Sequence, residues 1–83
     1  VKNYTCFAEA LDEYREDGGV MLYIPASSHG PDTWQLMSDV ETRTWYPDIK
    51  PSDWKCLTED ALANGGLTNE QIEKELEGWV DVK

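Results

Sequence analysis

The longest uninterrupted apolar run in the chain is Val20–Ile24, VMLYI, closed by Pro25. Five residues cannot cross a membrane, which takes about 20. A short run of β-formers stopped by proline reads as a central strand. The rest of the chain has to pack around it.

Before that run, TCFAEALDEYREDGG places Phe7, Ala10, Leu11 and Tyr14 at helical spacing. This predicts an amphipathic helix with its acids off the apolar stripe. Thr5 is the expected N-cap, and Gly18 with Gly19 the expected stop. After the run, ASSHGPD is a loop by composition, and TWQLMSDV alternates weakly as a second strand. ETRTWY, rich in Thr and aromatics, is expected as a third strand. The two prolines of PDIKP lack a ladder donor, so DWKCL is expected as a separate fourth strand with Trp54 and Cys56 on one face.

The C-terminal grammar is clearer. Thr58 is expected to cap a short helix over residues 59–63. Thr68 and Gln71 form a capping box, and Leu67 is placed to staple onto Ile72. Ile72, Leu76 and Trp79 then form the apolar stripe of a last helix, with Gly78 as its stop. The expected fold class is α+β, in one domain over residues 1–83. It has a small antiparallel sheet of three or four strands, an N-terminal helix, and one or two C-terminal helices.

A chain of 83 residues buries only about 60–65% of its unfolded surface. Its core must therefore be dense in large side chains, and four Trp, four Tyr and one Phe supply them. They cannot all be internal, which leaves some for a rim, a pocket or an interface between copies in a homo-oligomer.

The net charge is −10, from seventeen acids and seven bases. That field opposes nonspecific binding to nucleic acid or anionic membrane and favours a basic partner. Residues 20–30 carry no Asp, Glu, Lys or Arg, and residues 58–83 carry −5. Asp12 and Glu16 on the first helix, and Glu70, Glu73 and Glu77 at helical spacing on the last, are the candidate partner-binding acids. A solvated helix face is the plain alternative for them.

Enzyme chemistry finds little footing. His29 is the sole histidine, in a loop with Ser27, Ser28 and Asp32. Adjacency within one loop does not build a catalytic triad, whose members come from separate elements. DGG and NGG read as helix ends and not as phosphate loops. One His and two distant Cys, Cys6 and Cys56, do not make a zinc site. No calcium-loop spacing is present. No catalytic, metal or cofactor site is expected. Cys6 and Cys56 either pair or stay as reduced thiols. No signal-peptide pattern is seen, and the expected compartment is the cytoplasm.

The aromatic stretch TWYPDIKPSDWKCL, residues 44–57, offers a second kind of site. Arg43 precedes Trp45 and Tyr46, and Lys50 and Lys55 follow. An aromatic face beside a guanidinium can stack a base and pair a phosphate. Arg43, Trp45, Tyr46 and Trp34 are the candidates for ligand binding. The plain alternative is that the tryptophans fill the core.

Residues 4–57 resemble Tad2, a family of small phage and bacterial Thoeris anti-defence domains. The resemblance is carried by Phe7-Ala8-Glu9-Ala10-Leu11 with Gly18-Gly19, by Leu22-Tyr23-Ile24, and by Trp45-Tyr46-Pro47 with Asp53-Trp54. The family usually has a basic residue and a Trp between the glycine and the first strand, whereas this chain runs straight from Gly19 into Val20. Its capped C-terminal helix is also extra. The resemblance implies an oligomeric, β-rich domain that sequesters a cyclic ADP-ribose-type signalling nucleotide without chemistry.

Two functions therefore stand. One is a small acidic, non-enzymatic inhibitor that mimics nucleic acid and occupies a basic, nucleic-acid-handling host protein. The other is a nucleotide sponge. Both belong to phage anti-defence in the host cytoplasm, a setting that comes from resemblance and analogy. A plainer third option is an accessory subunit docking by its aromatic patch.

Overall fold

The structure is a computed structural model and describes residues 1–77. The chain runs β1 (Lys2–Tyr4), α1 (Phe7–Asp17), β2 (Val20–Ile24), β3 (Thr33–Met37), α2 (Asp39–Trp45), α3 (Trp54–Asn64) and α4 (Asn69–Glu75), with a 3₁₀ turn at Pro51–Asp53 leading into α3. This is the α+β class expected, with a three-stranded antiparallel sheet in the order β1-β3-β2. Helix outweighs strand. Among the described residues no helix is long and apolar enough to cross a membrane.

β3 is the central strand, pairing Tyr4 and Tyr23 on either side of Trp34, and Lys2 and Met21 on either side of Leu36. Side chains alternate between the faces of a strand. Met21, Trp34 and Leu36 therefore point to one face, where they meet Leu11 and Tyr14 of α1, Leu62 of α3, and Ile72 and Leu76 of α4. Val20, Leu22 and Met37 point to the other face, where they meet Trp54, with Tyr46, Ile49 and Leu57 packed alongside.

The apolar run Val20–Ile24 is a strand, as expected, but it lies at a sheet edge and not at the centre. It reads as a buried strand because α3 covers that edge. α3 sends Trp54 to one face of the sheet and Ala61 with Leu62 to the other. Thr58, at its waist, accepts a hydrogen bond from the Met21 backbone N–H at 3.3 Å.

Several boundaries differ from the sequence reading. β1 was not anticipated, since three residues are too few to show alternation. The N-cap of α1 is Cys6, with extended backbone and no side-chain cap, in place of Thr5. ETRTWY is not a strand: it lies mostly in α2, which starts at Ser38 with a full capping box to Glu41. There the local cap outweighs the β preference of the threonines, whose hydroxyls donate instead to carbonyls one turn back, Thr42 to Ser38 at 2.8 Å and Thr44 to Val40 at 2.9 Å. DWKCL is not a strand either. Pro51 opens the 3₁₀ turn that leads into α3, a place where its missing N–H costs nothing. Thr58 lies inside α3 and caps nothing.

The Thr68–Gln71 capping box of α4 is present as expected, and Leu67 packs in the same cluster as Ile72. Gly78 and Trp79 lie outside the described residues.

Candidate functional site

The acidic candidates sit on two helices that share one side of the sheet. α1 turns Leu11 and Tyr14 inward and leaves Asp12 and Glu16 exposed. Between them Arg15 reaches α4, donating to Glu75 through Nε at 2.9 Å and Nη2 at 2.5 Å. α4 turns Ile72 and Leu76 inward and leaves Glu70, Glu73 and Glu77 exposed. By helical spacing these three lie on the flank of α4 away from Glu75, so they do not merge with Asp12 and Glu16 into one ridge. The two sets flank the Arg15–Glu75 bridge. Residues 7–17 carry −4 and residues 69–77 carry −3, most of the −10 of the whole chain.

The charge on the other side of the sheet has the opposite tendency. Arg43, Lys50 and Lys55 fall in the segment that covers the Val20, Leu22 and Met37 face. Among the described residues none of the three has a carboxylate within ion-pair distance, whereas Lys2 and Arg15 both do. The Arg43 guanidinium lies 5.3 Å from the ring centre of Trp54. Trp54 is only 1% exposed, and its indole N–H has no hydrogen-bond partner among the described residues.

The four ligand-binding candidates are not brought together. Trp45 is 64% exposed. Tyr46 is half-buried and donates its hydroxyl to Gln35 Oε1 at 2.9 Å. Trp34 corrects the sequence reading most clearly. It is 7% exposed, belongs to the opposite core, and donates its ring N–H to the Ala61 carbonyl at 3.0 Å. Phe7 and Tyr23 flank it, with ring centres 5.5 and 5.4 Å away.

The Ser27–Asp32 loop is organised as a hairpin connection. Ser27 pairs with Gly30, and Ser27 Oγ accepts from the His29 backbone N–H at 3.2 Å. Asp32 accepts from the Tyr23 hydroxyl at 2.7 Å and from the Ala26 N–H at 2.8 Å. The bond to Asp32 raises the Tyr23 hydroxyl above its ordinary pKa. Cys6 and Cys56 are both free and exposed. Among the described residues no group of three or more His, Cys, Asp or Glu side chains converges as a metal site.

One concavity escaped the sequence reading. A cleft of about 460 Å³ opens between the C-terminal end of α1 and the first turn of α2. Its lining includes Lys2, Glu13, Asp17, Leu36, Asp39 and Val40. Lys2 Nζ lies 3.2 Å from Glu13 and 3.7 Å from Asp17, and the bond to Glu13 raises its pKa above the ordinary lysine value. The Ser38–Glu41 capping box was the signal that would have placed Val40 on an open first turn.

No protein-family model, curated protein or solved structure matches the chain. The geometry therefore defines the class: a small α+β domain with an acidic helical side and an aromatic side whose bases have no ion pair among the described residues.

Proposed function

We propose that this protein acts by occupancy, as a non-enzymatic acidic inhibitor that fills the basic groove of a nucleic-acid-handling host protein. The observation that carries this reading is the pairing of α1 and α4 through Arg15 and Glu75, which puts most of the net negative charge on one side of the molecule. Exposed carboxylates on rigid helices can take the place of phosphates in such a groove. Complementary potentials speed that encounter and fix its sense. The phage anti-defence setting rests on the family resemblance.

Capture of partners from host lysate at low and high salt, followed by competition with duplex DNA, tests the reading. Binding should fall steeply with salt and be displaced by DNA. Glu73→Lys with Glu77→Lys should slow association. Binding that ignores salt and DNA would end this reading.

Sequestration of a signalling nucleotide is the second reading. The exposed Trp45 favours it, as do Arg43, Lys50 and Lys55, which have no ion pair among the described residues. It ranks lower because Trp34 and Tyr46 are committed elsewhere within one chain. A nucleotide panel that raises the melting temperature, with the shift lost in Trp45→Ala, would reverse the order.

A further inference from the structure

We infer that the cleft between α1 and α2 receives one lysine or arginine side chain of the partner protein, and so sets the register of the complex. The inference rests on the occupancy reading for the basic nature of that partner. The walls ask for an occupant of mixed character. The end of β3 at Leu36 and Met37 lines the base of the cleft, and Val40 supplies exposed apolar surface beside it at 73% exposed. Glu13, Asp17, Asp39 and Glu41 surround it, with Lys2 against Glu13 and Asp17 and the Val1 ammonium against Glu41. An anion is disfavoured by that rim, and a purely apolar group leaves Asp39 without an ion pair among the described residues.

A long basic side chain satisfies both parts. Its methylene stem lies on apolar surface while its head stays with carboxylates and water. Lys2 already shows that the rim holds a cationic head, with Nζ between Glu13 and Asp17. Asp39 has no ion-pair partner among the described residues and is left for an incoming charge. At Gly18 a side chain would meet nothing within 4 Å, so that part of the wall is bare backbone open to an approaching group.

The exposed acids of α1 and α4 attract a basic surface without choosing its position. A concave site with apolar surface at Val40 can choose, because a fitting side chain excludes water there.

The test uses a labelled oligo-arginine peptide and the purified chain, with binding read by fluorescence anisotropy and contacts by amide NMR. Asp39→Lys should weaken binding by about fivefold to tenfold, and Val40→Ser, which changes no charge, by about threefold. Glu59→Lys makes the same charge change as Asp39→Lys on the exposed surface of α3, outside the cleft, and should cost less than about twofold. Amide shifts should centre on Gly18, Gly19 and Ser38. Equal losses for Asp39→Lys and Glu59→Lys, a silent Val40→Ser, or shifts spread over the outer faces of α1 and α4 would overturn the cleft assignment. Salt-sensitive, DNA-competed binding to the lysate partner would then still stand, which separates the two failures.

Discussion

The Thr58 hydroxyl donates to the Trp54 carbonyl at 2.9 Å and accepts the Met21 N–H at 3.3 Å, so one buried side chain closes the outer edge of β2. An unpaired strand edge is a template for association. Here α3 covers it, and the single hydroxyl meets both the helix and the strand.

Thr58→Val keeps the shape and removes the acceptor, leaving the Met21 N–H buried without a partner. Stability should fall by about 1–3 kcal/mol. Thr58→Ser keeps the hydroxyl and should recover most of that. Urea denaturation of both variants measures the difference. A loss confined to Thr58→Ser, with Thr58→Val as stable as the parent, would assign the effect to the methyl.

Gly65 ends α3 with ordinary right-handed backbone, yet a Cβ there would stand 2.3 Å from the Phe7 ring. Helix propensity alone would make Gly65→Ala stabilising. The ring contact reverses the sign, and a loss of about 1–3 kcal/mol is expected from overpacking. Phe7→Leu should absorb part of that loss in the double variant. A stabilised Gly65→Ala would show that Phe7 moves aside freely.

Burial, with a smaller contribution from Glu75, pushes the Tyr14 hydroxyl up to about 12. In the unfolded chain a tyrosine ionises near about 10. Between those values the folded form keeps a proton that the unfolded form releases. Stability therefore falls as pH rises through that window and is unaffected by this group below it. The loss should reach about 1–2 kcal/mol. Urea titrations across alkaline pH should show the fall, and Tyr14→Phe should flatten it.

How much of this was legible varied with the kind of signal. The α1 stripe and the Thr68–Gln71 box were readable because each is a local rule stated by adjacent residues. The Ser38–Glu41 box obeyed the same rule, but the Thr and Trp that follow suggested a strand. Asp12 and Glu16 were readable as exposed acids from period alone. Their relation to α4 was not, because Arg15 and Glu75 are 60 residues apart in sequence. Trp34 and Trp45 are indistinguishable by composition. Trp34 alternates onto the buried face of β3, whereas Trp45 ends a helix whose one buried residue is Thr42. The cleft needed β1, which was invisible in three residues.

Trp45 and Trp54 give the sharpest contrast between folding and binding. Trp54→Ala empties a site that is 1% exposed and should cost about 3–5 kcal/mol of stability. It also removes the surface on which Arg43 rests, so Arg43→Ala alone should cost only about 0.5–1 kcal/mol. Trp45, at 64% exposed, has little to lose on unfolding. Trp45→Ala should leave stability within about 0.5 kcal/mol. If Trp45 anchors a partner on this face, the same variant should lower affinity by about 2 kcal/mol or more, since exposed tryptophans are common hot spots once covered. Thermal denaturation and partner binding measured on the same preparation separate the two roles. A Trp45→Ala protein that unfolds early would place this ring in the fold, and one that keeps both stability and binding would leave the acidic helices to hold the partner alone.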